Sequence, residues 1–418
     1  MEADSLNTVL QSARQAVILV GGKGTRLGDL TKNTPKPLMR IDDNSLFLDH
    51  VIFNIARQSF DEILLLAGHL GEQFIGRYHG KHVCGAAVRV IQETTPAGTG
   101  GALLNAADAL QEVFLLANGD TFFDVNVRQL DRILLKKSDA LGVMALRHEP
   151  DSGRYGAVVL ENGYLTGFRE KEQPIHGGAL INAGAGVFRK DVLTFINNVP
   201  CSIESDVYPK LADQRRIMGH EFPGYFIDIG LPETLEFARN TLPQKRYRPA
   251  LFLDRDGVIN EDYGYTHKPQ DLLFVKGAVD LIRSANDMGA LVIVVTNQAG
   301  VAHGFYGMND VEIFHEAMNE SLNRHGAFID AFYACPFHPS AKVAAFRHPD
   351  HPDRKPNPGM LLRAFDEWPI LRERSILIGD KESDIAAAER AGIRGLLFDK
   401  EDLSSLKSKA LMHLQRVC

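Results

Sequence analysis

Two stretches of the chain carry residue types and spacings that can do chemistry. In "LFLDRDGVIN", Asp254 and Asp256 stand two positions apart, directly after an apolar run that begins at Leu251. Carboxylates at the end of a buried strand cost stability unless something cationic meets them. Far upstream, "GGKGTRLGDLTKNTPKPL" runs from Gly21 to Leu38. Its glycines let the backbone approach a phosphate chain closely and offer N–H groups to it. Arg26 can neutralise phosphate charge, and Lys36 sits between two prolines on a stiffened segment. The stretch lacks the Gly-Lys-Ser/Thr ending of a Walker A loop. It also lacks the third spaced glycine and later acidic residue of a dinucleotide fingerprint. On its own it also reads as a plain glycine turn between strand and helix.

The elements that position these residues follow from hydrophobic patterning. "AVILV", "DEILLLAG" and "VFLLANGD" are strand-length runs, whereas "SLFLDHVIFNIARQ" has helical spacing. The alternation predicts a largely parallel sheet covered by helices. It runs to about Leu242, where "PQKRYRPA" reads as a polar, basic linker bracketed by Pro243 and Pro249. A second alternation follows: strand "LFLDRDG", helix near 279–288, strand "ALVIVVTNQ", helix near 310–325, strand "SILIGD", helix "SDIAAAERAG", strand "GLLFD". The expected class is α/β with two doubly wound, Rossmann-like domains, 1–243 and 250–418, joined by a linker at 244–249. Ligands of open α/β sheets bind beyond the carboxyl ends of the strands. In both halves the unusual polar residues come where apolar strands stop.

Bulk properties narrow the class further. A chain of 418 residues suggests two or three domains, and 44% hydrophobic content supplies ordinary cores. The formal charge of -7 and the lack of a long basic run argue against nucleic-acid binding. Cys84, Cys201, Cys335 and Cys418 follow no framework spacing, which fits a reducing cytoplasm. No apolar run approaches the roughly 20 residues that span a bilayer, so no membrane partner is expected.

More pieces of the first half fall in order: "ETTPAGTGGAL", "LLANGD" ending at Asp120, "GFREK", "INAGAGVF" and "FIDIGLPE" with Asp228. The ordered set "GGKGTRL", "PKPL", "GTGGAL", "NGD", "FREK", "NAG" and "IDIGLPE" resembles the sugar-1-phosphate nucleotidyltransferases over roughly residues 15–240. The resemblance implies transfer of a nucleoside monophosphate from a triphosphate to a sugar 1-phosphate, with release of pyrophosphate. It implies Mg2+ held by Asp120 and Asp228, and a triphosphate cradled by Gly21, Gly22, Gly24, Thr25 and Arg26. Lys36 would touch the α-phosphate or the sugar phosphate. Gly98 and Gly101 would lie near the base, and Glu170, Lys171 and Asn182 would hold the sugar and its phosphate.

The second half answers the question of Asp254 and Asp256. "DRDG", "VVTNQAG", "RKPNPGM" and "LIGDKESD" follow one another and resemble the haloacid-dehalogenase-type phosphatases over about residues 250–399. The resemblance implies that Asp254 is a nucleophile forming an aspartyl-phosphate and Asp256 a general acid, then base. Thr296 and Asn297 would bind phosphoryl oxygens, and Lys355 would neutralise the anionic cluster. Mg2+ would bridge Asp254, the backbone carbonyl of Asp256, and Asp380, while Asp384 would support the site or orient Lys355. "LFLDRDGVINEDYGYTHKPQDLLFVKGA" with "TNQAGVAHGFYG" narrows the resemblance to D-glycero-D-manno-heptose 1,7-bisphosphate 7-phosphatases, with histidinol-phosphate phosphatases as close relatives. Arg354 is a candidate for a second anionic group on the substrate. Relatives often carry a zinc loop here. In this chain Cys335 stands in place, but Phe337 occupies the expected His position and no later cysteines of the motif follow. Cys335, His338, His348 and His351 are the residues that remain, and zinc is not expected there.

Joined, the two resemblances imply consecutive steps: a phosphatase yields a heptose 1-phosphate and a nucleotidyltransferase consumes it. The first half is similar to guanylyl-transferring, mannose-type relatives, which favours GTP. A hexose-1-phosphate nucleotidyltransferase joined to a histidinol-phosphate-type phosphatase is the alternative. Expected partners are sugar phosphates and a nucleoside triphosphate, with a homo-oligomer allowed.

Overall fold

The apolar runs read as strands become inner strands of two separate sheets, except "GLLFD", which forms an edge strand. The computed structural model describes residues 12–22, 24–150, 156–169, 177–399 and 402–415. The chain folds as two units, Met1–Arg239 and Asn240–Cys418. The helix Pro232–Arg246 spans that division, so the stretch expected as a linker is helical as far as Arg246. Arg248 is buried, and its N–H donates to the Pro369 carbonyl at 2.9 Å. Among the described residues no helix is long and apolar enough to cross a membrane.

The first unit contains β1 (Gln15–Leu19), β2 (Glu62–Ala67), β3 (His82–Val83), β4 (Ala86–Gln92), β5 (Val113–Asn118), β6 (Thr121–Phe123), β7 (Gly142–Glu149), β8 (Ala157–Glu161), β9 (Tyr164–Arg169), β10 (Ala179–Arg189), β11 (Ile217–Glu221) and β12 (Phe226–Asp228). The large sheet has the order β3-β4-β2-β1-β5-β10-β7-β11-β9-β8. Strands β4, β2, β1 and β5 are parallel, as the alternation predicts. Beyond β5 the sheet turns mixed, with β10 antiparallel to both β5 and β7. Strand order reverses direction between β1 and β5, which is where ligands bind in such sheets. Separately, β6 and β12 pair antiparallel and set Asp228 opposite Thr121.

The second unit carries β13 (Ala250–Leu253), β14 (Leu291–Asn297), β15 (Ala331–Cys335), β16 (Ile376–Gly379) and β17 (Arg394–Leu397). Its sheet is wholly parallel in the order β15-β14-β13-β16-β17. Ala278–Asp287, Met308–Arg324 and Glu382–Arg390 are the helices expected from the pattern. The three inner strands are buried on both faces, as their continuous apolar runs require. Edge strand β15 is not among the expected strands; its half-buried "AFYAC" lacks such a run. Here the order reverses between β13 and β16, which places Asp254 and Asp380 side by side at the carboxyl edge.

Candidate active sites

In the first unit a cavity of about 660 Å³ opens at the β1/β5 switch point. Gly21, Gly22, Gly24, Arg26, Lys36, Gly98, Asp120 and Asp228 of the expected set line it. Backbone geometry explains the glycines. Gly24 has φ +63°, and Gly98 has φ +76° with the Cys201 carbonyl 2.4 Å from where a Cβ would stand. Gly101 does not line the cavity; it lies in the helix Gly98–Asn105, where a Cβ would meet the side chains of Ala97, the helix N-cap, and Val199. Asn182 lies at a β10 bulge, where its Oδ1 accepts the Gly184 N–H at 2.9 Å. It lines an adjoining recess with Asn118, Glu204 and Tyr208. Glu170, Lys171 and the side chain of Thr25 lie outside the described residues.

Asp120 follows β5 and Asp228 ends β12, so the β6–β12 pairing brings the two carboxylates together. Lys36 Nζ lies 2.7 Å from Asp120 and 3.8 Å from Asp228. Burial raises the Asp228 carboxyl above its ordinary range, and the Asp120 charge adds to that against the pull of Lys36. Two like charges sharing one lysine form an oxygen-rich site that fits a hard divalent cation.

In the second unit Lys355 is the hub. Its ammonium contacts Asp254 Oδ1 at 2.9 Å and Asp384 Oδ1 at 2.7 Å, and donates to the Val295 carbonyl at 2.8 Å. Burial pushes the Asp254 carboxyl up to about 6, with Lys355 opposing and Asp384 assisting. Burial pulls the Lys355 ammonium down, but Asp254 and Asp384 outweigh it and hold it above its usual value. Carboxylate oxygens of Asp254, Asp380 and Asp384 come within 4.8 Å of one another, an arrangement suited to Mg2+. Asp384 is tied down, however, because its other oxygen accepts the Lys381 N–H at the start of Glu382–Arg390.

The carboxylate of Asp256 is not part of that cluster and has its own partners. Arg255, fully buried, reaches it through two N–H donors at 3.0 and 2.9 Å, and Asn260 and Gln298 add donors at 3.1 and 2.8 Å. Thr296 is buried at the end of β14. The side-chain amide of Asn297, expected on a phosphoryl oxygen, instead clamps the Lys355 backbone: Nδ2 donates to its carbonyl and Oδ1 accepts its N–H. Arg354 donates to the Phe337 carbonyl at 2.9 Å. Cys335, His338, His348 and His351 are not gathered into a ligand set; the His351 ring stacks on Phe337 with centroids 3.8 Å apart.

Several residues in these sites escape a reading of the sequence. Glu93, Thr99, His69 and Glu204 line the first cavity. Thr99 donates to Glu204 at 2.8 Å, joining two segments more than a hundred residues apart with no shared pattern to signal it. Arg255 and Gln298 stand beside motif residues, and nothing in their spacing marks a role of their own.

Comparison with known proteins matches the Nucleotidyl transferase family profile to residues 15–245 and the HAD-hydrolase-like profile to residues 353–409. The D-glycero-beta-D-manno-heptose-1,7-bisphosphate 7-phosphatase of Rhodopseudomonas palustris is 42% identical over 170 residues, covering 40% of this chain and 93% of the relative. The D-glycero-alpha-D-manno-heptose-1,7-bisphosphate 7-phosphatase of Burkholderia mallei is 41% identical over 162 residues, covering 38% of this chain and 85% of the relative. Among solved structures, HddC from Yersinia pseudotuberculosis is similar at 27% identity and a TM-score of 0.48, covering 54% of this chain and 98% of that one.

Proposed function

The chain belongs to the nucleotidyl transferase family through residues 15–245 and to the HAD-like phosphatase family of its curated relatives, and from that premise we propose a bifunctional enzyme of nucleotide-heptose synthesis. The second unit removes the 7-phosphate of D-glycero-D-manno-heptose 1,7-bisphosphate. The first transfers a nucleoside monophosphate, from GTP by preference, to the resulting heptose 1-phosphate. One observation carries the reading: each unit holds its own constellation of carboxylates and a buried lysine at its own sheet's switch point.

In the phosphatase, an Asp254 oxygen attacks phosphorus and the P–O bond to C7 breaks. Asp256 gives its proton to the leaving alkoxide. Water then attacks the aspartyl-phosphate, delivers a proton to Asp256 and releases inorganic phosphate. Covalent catalysis divides a barrier that is among the highest for a biological hydrolysis. Lys355 keeps Asp254 ionised, and the Thr296 hydroxyl faces the phosphoryl oxygens. In the transferase, an oxygen of the sugar phosphate attacks the α-phosphorus and pyrophosphate leaves with the bonding pair. Positioning and charge dominate such a step, which suits the glycine cradle, Arg26 and Lys36. Asp120 and Asp228 in one unit, and Asp254 and Asp380 in the other, would hold Mg2+, which would supply phosphoryl charge neutralisation.

The test is phosphate release by the purified chain with Mg2+, comparing both heptose bisphosphate anomers with histidinol phosphate, then adding GTP, ATP, CTP or UTP separately. Release from one heptose anomer followed by a nucleotide-heptose only with GTP supports the proposal. Release from histidinol phosphate alone, or transfer to mannose 1-phosphate faster than to heptose 1-phosphate, would overturn it.

A further inference from the structure

The run "TNQAGVAHGFYG" contributes Thr296 and Asn297 to the phosphatase site, but the rest of it has no role in the chemistry above. Its structure supplies one. Gln298 is 1% exposed, and its side-chain nitrogen donates both hydrogens: to Asp256 Oδ2 at 2.8 Å and to Thr296 Oγ1 at 2.9 Å. Its side-chain oxygen accepts the Tyr306 hydroxyl at 2.7 Å. Tyr306 closes the far end of the amide: its hydroxyl donates to the side-chain oxygen while the nitrogen faces the oxygens of Asp256 and Thr296. Tyr306 is itself firmly seated. Its ring lies where a Cβ on Gly300 would be, 2.3 Å from the ring edge, and the His267 ring stacks on it with centroids 4.3 Å apart.

We propose that Gln298, oriented by Tyr306, is a positioning residue that aims the Asp256 carboxyl at the leaving-group oxygen and the Thr296 hydroxyl at the phosphoryl group. Two consequences follow from the donor directions. Asp256 is held on one oxygen by Asn260 and on the other by Gln298, with Arg255 spanning both, so its plane is fixed. Thr296 Oγ1 already accepts from Gln298, so its own proton is left to be donated elsewhere, toward the site. The inference rests on the phosphatase reading of the second unit.

The experiment compares kcat/KM for two esters in the full chain with Mg2+. Heptose 1,7-bisphosphate leaves as an alkoxide that needs a proton; 4-nitrophenyl phosphate leaves as a stable phenolate that does not. The ratio kcat/KM reports only steps up to phosphoryl transfer, so later hydrolysis of the aspartyl-phosphate does not enter. General acid catalysis contributes about 10²–10⁴-fold. Gln298→Ala is therefore expected to lower the alkyl-to-aryl ratio of kcat/KM by roughly 10–100-fold, a part of that contribution. Tyr306→Phe, which removes one oxygen and keeps the ring on Gly300, should lower the ratio in the same direction by a few-fold. Asp256→Asn provides the full-size effect for scale. An unchanged ratio in both variants, or equal losses on both esters, would overturn the assignment and leave Gln298 a packing residue. A wild type inert on both esters would overturn the phosphatase reading, and this inference with it.

Discussion

Lowering the pH should destabilise the second unit through a single histidine. His315 lies in the helix Met308–Arg324, 7% exposed, stacked on Phe332 with ring centroids 4.2 Å apart, its Nε2 3.4 Å from an Arg255 nitrogen. Burial pushes its imidazole down to about 3, and the Arg255 charge pushes the same way. The unfolded chain takes up a proton near 6.5, whereas the folded chain refuses it until far lower pH. The neutral ring is thus no burden above 6.5, and stability is lost as pH falls below that value. Linkage gives a loss of about 1.4 kcal/mol between pH 7.5 and 5.5, growing to about 2.7 kcal/mol by pH 4.5. These figures depend little on the folded value as long as it stays below the lowest pH sampled. Urea midpoints of wild type and His315→Gln, measured at each pH, isolate this histidine; glutamine keeps an acceptor near Arg255 and cannot titrate. The difference between the two proteins should narrow by these amounts as pH falls. A difference constant with pH would refute the claim that the folded site excludes the proton.

The remaining predictions concern the two chemistries. Asp254→Asn should reduce phosphate release by about 10⁴-fold or more, as loss of a nucleophile does, and leave nucleotide transfer intact. Asp120→Asn should do the reverse, and either variant losing both activities in coupled assays with supplied intermediates would contradict the assignment. Lys355→Met leaves Asp254 and Asp384 facing each other without their cation, so it should cost about 3–5 kcal/mol by urea unfolding, with part recovered on adding Mg2+. A midpoint equal to wild type would remove Lys355 from its structural role. Chelation by EDTA should stop both reactions and Mg2+ should restore them; activity persisting in EDTA would count against metal at either site.

The parts of the fold that are legible in the sequence are those whose patterning is unambiguous. Strands β13, β14 and β16 are buried on both faces and read as unbroken apolar runs, and the motif residues stand at their ends. The antiparallel half of the first sheet is not legible, because pairings such as β10 with β7 depend on long-range register rather than on local composition. Residue types are legible where their spacing is short. Asp254 and Asp256 declare themselves, but Gln298 acquires meaning only when folding lays it across Asp256 and Tyr306. The clamp of Asn297 on Lys355 is hidden for the same reason: an amide next to a phosphate-binding threonine reads as a ligand, while its partner lies 58 residues away.

Both units set a lysine between two carboxylates, yet the two lysines are held differently, and that difference predicts how each tolerates arginine. An ammonium has three donor hydrogens. Lys355 directs them at Asp254, Asp384 and the Val295 carbonyl, all within 2.9 Å, in a pocket that leaves its side chain 3% exposed. It neutralises the site as a fixed part and has no donor to spare for substrate. Lys36 makes one short contact, to Asp120 at 2.7 Å, and a long one to Asp228 at 3.8 Å, so a phosphate can draw it away. A planar guanidinium cannot reproduce three divergent donors on one nitrogen, though it can still meet a phosphate. Lys355→Arg should therefore lose phosphatase activity about as fully as Lys355→Met, while Lys36→Arg keeps a measurable fraction of transfer that Lys36→Met does not. Parallel assays of the four variants decide the matter. Equal tolerance of arginine at the two positions would mean that donor count does not distinguish the lysines, and the contrast between a fixed and a mobile cation would fall.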